Sequence, residues 1–382
     1  MARVSPRFPV VGFGQDFSLF AAWAVLPLWA KFDAGATPLE LGALPIFGGV
    51  PYVVAAFFAG RISDRISRTA LARIGLALFA VFCGLAWRIE TIHQLYLVSP
   101  LAGLSNGMIW PALQAKMGDE SGPEDLDRNL GLFSMSWCGG KALGFFASGW
   151  LYARFGLDAM PLCALVSLAM VPVVPGPTPR SSSPRAPLLP PDAPPPALRA
   201  AYLRAAWLAN FASYGLGSTV NFLYPDLVEK KGWGGTESAL VTGTLVRSQT
   251  AAFWLFGRFS GWRYRWRAFV AWQGAGAAAL LVVGLGAPLV AAVPAAALGG
   301  AGLGLAYAAS IYYSVHTDVG RGARAGLHEA FTGASNFAVP LMGGALASLS
   351  GWTGAPYALA TTLVAASVLL QARLVRRAGD PT

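Results

Sequence analysis

The sequence predicts an all-α membrane protein: twelve transmembrane helices arranged as two pseudosymmetric six-helix bundles. Three observations carry that prediction. Charged residues make up 12% of the 382-residue chain and apolar residues 55%, whereas soluble globular domains carry roughly 25% charge. The apolar residues gather in runs of about 20, the length that crosses hydrocarbon as a helix. Gly60-Arg61-Ile62-Ser63-Asp64-Arg65 returns 197 residues later as Gly257-Arg258-Phe259-Ser260-Gly261-Trp262, each time between two long apolar segments.

In chain order the spans fall near 8–30, 40–59, 74–92, 94–115, 129–151 and 157–175, then near 200–224, 238–257, 268–286, 288–313, 327–349 and 354–374. Met1 to Val10 lack the basic, apolar and cleavage regions of a signal peptide, so the first span is read as a retained helix. Residues 1–175 form the N-terminal bundle and 200–382 the C-terminal bundle. Between them, 176–199 is dense in Pro and Ser, which neither continue a helix nor pack well, and is read as a cytoplasmic tether. Lys and Arg in the loops set the orientation. With the N-terminus inside, the outer loops hold Lys31, Arg88, Arg154, Lys230 and Lys231, two basic residues lie within spans, and the other 21 of the 28 are cytoplasmic. The expectation is a multi-pass protein of the bacterial inner (plasma) membrane with both termini in the cytoplasm.

The same distribution accounts for the net charge of +10. Nucleic-acid binding needs a continuous basic stripe on one face, and these charges sit in short runs between spans. Cys83, Cys138 and Cys163 all fall inside apolar segments without metal-ligand spacing and read as packing residues. There is no G-x-x-x-x-G-K-[ST], no metal-spaced His/Cys cluster and no credible Ser/His/Asp arrangement. The sequence therefore predicts neither an enzyme nor an ATP-driven pump, with no cofactor and no metal.

The repeat extends into the spans. At the offset of 197, Gly103, Gly107 and Trp110 match Gly300, Gly304 and Tyr307; at 195, Gly131, Leu132, Gly149 and Leu151 match Gly326, Leu327, Gly344 and Leu346. Small residues at i, i+4 let membrane helices approach closely, so these positions are read as scaffold.

Gly60-x-x-x-Asp64-Arg65-x-x-Arg68, in the short loop between spans 2 and 3, resembles the signature loop of the major facilitator superfamily. Where that pattern continues with a glycine and another basic residue, this chain has Ser67 and Thr69. The degenerate copy before span 9, with Arg263, Arg265 and Arg267, is similar to the family's second copy, and the twelve spans, long middle loop and internal termini extend the resemblance over the whole chain. It implies a gating role for Gly60, Asp64, Arg65 and Arg68. Asp64 would contact the N-terminal end of span 11, where unpaired backbone N–H groups favour an anion. The arginines would pair with Asp119, Glu120, Glu124, Asp125 or Asp127. A span-5 pattern of many drug:proton antiporters ends in Gly-Pro-x-x-Gly-Gly; Gly144 to Gly149 lacks the proline, and the nearer match is Val339 to Gly344 in span 11.

Four ionisable residues fall clearly within spans: Asp16, Lys141, Arg247 and Glu329. A charge at bilayer depth costs several kcal/mol, so each is expected to face a cavity or a partner. At 1.5 Å per residue, Lys141 lies about 18 Å into span 5, Arg247 about 14 Å into span 8 and Asp16 about 12 Å into span 1. Glu329 sits in the first turn of span 11. None recurs in the other half: they align with Asn336, Val50, Ser213 and Ser134 respectively, which favours function over scaffold. The resemblance sets spans 5 and 8 face to face, so that Lys141 and Arg247 offer two cations to one anionic group. Asn106, Trp110, Trp137, Asn210, Tyr214, Asn221, Tyr307 and Asn336 supply the amides and aromatics suited to an organic solute. Asp16 and Glu329 are the candidate proton-coupling groups. Against these stand plainer readings: Asp16 pairing with Lys141 inside one bundle, Glu329 serving the helix dipole, and His328 merely solvated near the cytoplasmic end.

The expected protein is a monomeric secondary active transporter, proton-coupled, moving a small organic anionic solute by alternating access. The alternative is a proton-antiporting exporter of amphipathic or cationic compounds with Asp16 as its site; a third reading is a non-transporting membrane sensor. The expected partners are the solute, protons and the lipid bilayer, with no nucleic acid.

Overall fold

The computed structural model describes residues 5–63, 67–120, 126–176, 194–259, 261–315 and 321–379. Among the described residues run twelve α-helices and no strand: α1 (Arg7–Phe32), α2 (Pro38–Ser63), α3 (Arg68–Ala86), α4 (Ile92–Glu120), α5 (Leu126–Phe155), α6 (Ala159–Met170), α7 (Pro196–Lys230), α8 (Gly235–Arg258), α9 (Trp266–Gly284), α10 (Leu289–Val315), α11 (Arg321–Ser350) and α12 (Ala355–Arg377). The all-α membrane architecture read from the sequence is the architecture observed.

Seven described stretches are by themselves long and apolar enough to cross a membrane: Arg7–Phe32, Pro38–Ala56, Arg68–Ala86, Leu132–Met170, Trp266–Gly284, Leu289–Ser314 and Ala355–Arg377. Four long helices fall short, α4, α7, α8 and α11, and these carry most of the candidate site. Buried or half-buried Asn106, Asn210, Asn221, Glu329 and Asn336 dilute their apolar content, as expected of helices that turn polar side chains away from lipid, and the exposed Arg247 dilutes that of α8.

The helices form two compact units. The first comprises Met1–Ala36, Leu44–Arg185 and Trp233–Gly243; the second comprises Thr37–Ala43, Ala186–Gly232 and Thr244–Thr382. Each unit therefore includes one helix tip from the other half of the sequence, the start of α8 in the first and the start of α2 in the second. Both tips are seated on glycines of the repeat. Within the first unit, a Cβ on Gly149 would stand 2.7 Å from the Gly235 carbonyl oxygen; within the second, a Cβ on Gly344 would stand 2.2 Å from that of Pro38. The scaffold glycines behave alike too. A Cβ on Gly103 would lie 2.0 Å from the Gly48 oxygen and one on Gly300 2.0 Å from the Leu245 oxygen, and Gly48 and Leu245 are themselves 197 residues apart.

Helix ends depart from the apolar runs for local reasons. α6 stops at Met170, short of the expected 175, because Pro172 has no N–H to continue the ladder. The chain leaves through a turn closed by Val173 N–H to the Met170 carbonyl (3.0 Å). The next three carbonyls are held by side chains of α3 and α4: Arg73 Nη2 donates to Val174 (3.3 Å), Thr69 Oγ1 to Pro175 (2.9 Å) and Lys116 Nζ to Gly176 (2.5 Å). Lys116 Nζ also lies 2.8 Å from Glu120 Oε1. Most of the expected tether, 177–193, lies outside the described residues. α7 and α11 begin before their apolar runs because arginines (Arg199 and Arg204; Arg321 and Arg324) extend the helix beyond the hydrocarbon-like stretch.

Candidate functional site

In the first unit the site is created by the approach of α5 to α1. Gly140 and Gly144 are one turn apart; a Cβ on Gly140 would lie 2.1 Å from the Phe13 carbonyl oxygen and one on Gly144 2.7 Å from that of Phe17. With no side chains in the way, Lys141 is brought against α1, its Nζ 4.7 Å from the Phe20 ring centre, a favourable cation–π placement. Phe145 packs on the same ring at 5.4 Å. Asp16 is buried on α1 at 3% exposure, and its Oδ1 has no hydrogen-bond partner. The charges of Asp16 and Lys141 act on one another, and the Cys138 thiol is within electrostatic reach of both. Beside Asp16, Gln15 is fully buried and accepts a hydrogen bond from Ser167 Oγ (2.8 Å), with its amide nitrogen unpartnered. Asn106 is buried, donating to the Ala102 carbonyl (2.8 Å) while its Oδ1 has no partner. Trp110 and Trp137 are half-buried against the cluster around Phe133.

The second unit holds a larger polar network. Asn210, fully buried, donates from Nδ2 to Thr332 Oγ1 (2.6 Å), and its Oδ1 is unpartnered. Thr332 in turn donates to the His328 carbonyl (2.9 Å). Gln249 donates its amide to the Tyr214 hydroxyl. Tyr214 packs on Tyr307 at 5.3 Å, and Tyr307 meets His328 edge-on at 4.7 Å. His328 Nδ1 is 2.7 Å from Ser310 Oγ, and its Nε2 has no partner. His328 is thus fully buried, and the expectation that it is solvated is corrected: α11 begins at Arg321, placing His328 two turns inside the helix. Asn221 is half-buried with an unpartnered Oδ1. The main-chain carbonyl of Asn336, also half-buried, accepts Ser218 Oγ (2.7 Å). Glu329 is half-buried. Arg247 is exposed midway along α8, on the same face as Leu240 and Trp254, with no hydrogen bond or ion pair among the described residues.

Lys141 thus belongs to the first unit and Arg247 to the second. Of the gating residues, Gly60 lies in α2 and Arg68 opens α3, half-buried, while Asp64 and Arg65 lie outside the described residues. The sequence reading missed Gly140 and Gly144, whose i, i+4 spacing was a usable signal. It also missed Ser310, Gln249 and Gln15, whose partners are too distant in sequence to be inferred.

A family model for the Major Facilitator Superfamily matches residues 10–319. The Methylenomycin A resistance protein of Streptomyces coelicolor is 30% identical over 183 residues, 41% of this chain and 38% of that protein. The Quinolone resistance protein NorA of Staphylococcus aureus is 28% identical over 120 residues, 31% of each chain. The matched stretches thus span about a third of the length of these curated relatives. Among solved structures, a bacterial homolog to the human lysosomal transporter Spinster, inward-facing and unoccupied, matches with a TM-score of 0.70 at 12% identity, covering 98% of this chain and 97% of that one. Its occupied form gives 0.64 at 13% identity, over 97% and 94%.

Proposed function

The chain belongs to the major facilitator superfamily, and from that premise we propose that this transporter exports small amphipathic organic compounds in exchange for protons, by alternating access, as a monomer of the bacterial inner membrane. The observation that carries the reading is the pair of opposite charges in the first unit, Asp16 buried at 3% exposure and the half-buried Lys141 acting on it from α5. Buried opposite charges hold each other in place, and removing one leaves the other uncompensated. Protonation of Asp16 cancels its attraction for Lys141, and a substrate group drawn to either residue competes with the pair. A proton and a substrate that displace the same interaction exclude one another, which is the requirement for exchange. The resistance proteins matched over part of their length support export rather than uptake. Trp110, Trp137, Asn106, Tyr214, Tyr307, Asn210, Asn221 and Asn336 are assigned to substrate contact, Glu329 to a secondary coupling role, and Gly60, Asp64, Arg65 and Arg68 to gating with both termini cytoplasmic.

The test is flux in proteoliposomes under an imposed pH difference, with ethidium as the amphipathic cation and an aromatic carboxylate as the anion. Export predicts that ethidium accumulates against the proton flow, and that Asp16→Asn abolishes accumulation while sparing downhill exchange. A second reading, anion transport on Lys141 and Arg247, is favoured by Arg247, which is exposed and makes no hydrogen bond or ion pair among the described residues. It predicts accumulation of the carboxylate with the proton flow, lost in both Lys141→Ala and Arg247→Ala, and that result would displace the first.

A further inference from the structure

In the second copy of the repeated loop, between α8 and α9, Gly261 stands where the first copy has Asp64, and no other residue of that loop is acidic. No Asp or Glu occurs from 193 to 225, from 238 to 317 or from 330 to 379. Within those stretches the start of α7, the α8–α9 turn and the end of α12 supply Arg199, Arg263, Arg265, Arg267, Arg376 and Arg377. A shared core draws these three segments together, since Tyr202, Trp262, Phe269, Tyr313 and Val375 belong to one buried cluster with Tyr264 and Trp266 packed on it.

The turn itself is built rather than loose. Tyr264 is, among the described residues, the one non-glycine residue with positive φ (52°), an arrangement that persists only where its surroundings impose it. Its N–H donates to the Tyr313 hydroxyl (2.9 Å), and its ring packs on Tyr202 and Tyr313 at 5.3 and 5.0 Å. Trp262 Nε1 donates to the Phe256 carbonyl (2.9 Å). Arg263 lies over the Tyr312 ring at 4.5 Å and near that of Trp262 at 5.9 Å. The charges of Arg199 and Arg263 both reach the Tyr264 hydroxyl. Two donors at this rim, Arg263 Nε and Trp266 Nε1, are buried with no acceptor. Charges that merely orient a membrane helix need number and sidedness. They need neither stacked guanidinium planes nor buried donors awaiting an acceptor.

We propose that this rim binds the phosphate of an anionic phospholipid headgroup, with Arg263, Arg265 and Arg267 as the charged contacts and the tyrosine cluster as the floor. The occupant is a lipid because the turn joins α8 and α9, both read from the sequence as membrane spans, so that its donors fall at headgroup depth. The inference uses the membrane placement alone and is independent of which solute is carried.

The full-length protein in nanodiscs of phosphatidylcholine, with and without phosphatidylglycerol, provides the test, read by native mass spectrometry of retained lipid and by thermal unfolding. Each arginine near an anionic surface contributes roughly fivefold, so the triple variant R263Q/R265Q/R267Q should lose affinity for phosphatidylglycerol on the order of 100-fold. Arg265 is exposed, so R265Q alone, with roughly a fivefold loss, keeps the result readable if the triple variant folds poorly. The charge-matched variant R7Q/R180Q/R185Q should retain phosphatidylglycerol at the wild-type level. Equal losses in the control variant would reduce the effect to general surface attraction and overturn the site. Stabilisation by inorganic phosphate in phosphatidylcholine, equal to that by the lipid, would overturn the lipid as its occupant.

Discussion

Replacing Gly140 by alanine places one methyl group where the α1 backbone runs. The new Cβ would stand 2.1 Å from the Phe13 carbonyl oxygen, and ordinary contact begins at 3.4 Å, so the seam between α1 and α5 must open by about 1.3 Å (3.4 less 2.1). The obstacle is backbone, which no rotamer change relieves, so the upper end of the 1–3 kcal/mol typical of overpacking applies. Alanine returns about 1 kcal/mol of helix propensity, leaving a net loss of about 2 kcal/mol. Gly84 provides the internal control: it is exposed on α3 with nothing within 4 Å of its Cβ position, so Gly84→Ala should gain about 1 kcal/mol. Cys83, Cys138 and Cys163 are all buried, so a thiol-reactive dye reports unfolding on heating or in denaturant. Gly140→Ala should label early and also lose proton-driven flux, because Lys141 recedes from Asp16. Wild-type stability in Gly140→Ala, or an equal loss in Gly84→Ala, would refute the close-packing account of how the charge pair is made.

Ser310→Ala strips the buried His328 ring of its Nδ1 partner (2.7 Å) and should destabilise by about 1–3 kcal/mol, whereas Ser335→Ala should cost less because that buried hydroxyl bonds to its own helix at Thr332 O; the same dye assay separates them. Burial, with help from Tyr312 and against Arg199 and Arg263, pushes the Tyr264 hydroxyl up to about 12 from an ordinary 10.0. The folded state keeps that proton after the unfolded chain has released it, so stability falls as pH rises through this window; unfolding of Tyr264→Phe between pH 10 and 12 should show a shallower decline. Gln249→Leu removes the donor to the Tyr214 hydroxyl and should cost about 1 kcal/mol in unfolding measurements.

The architecture was legible because bilayer physics writes it in simple terms: long apolar runs and a duplicated loop. Duplication also made Gly103 and Gly300 readable as scaffold, and their contacts with Gly48 and Leu245 are equivalent. The candidate site was legible in part. Asp16 and Lys141 announced themselves as charges in apolar helices, and their mutual attraction was already the plainer alternative. His328 was misread because hydropathy locates where a helix enters hydrocarbon, while α11 begins earlier, at Arg321. Its contact with Ser310 and that of Gln249 with Tyr214 join different helices, and no local pattern encodes which residues will meet. Asp64 and Arg65 remain expectations drawn from resemblance.

The three side chains that hold the carbonyls of Val174, Pro175 and Gly176 move the edge of a folded body past its last helix. The last helix of the N-terminal half ends at Met170, but side chains of α3 and α4 hold the chain as far as the carbonyl of Gly176. A splice for a reporter or protease site after Gly176 leaves every donor engaged. One residue added at Val174 slides the carbonyls out of register with Thr69, Arg73 and Lys116, two of them cations. Where this protein may safely be cut is thus decided by three hydrogen bonds in a stretch with no regular structure.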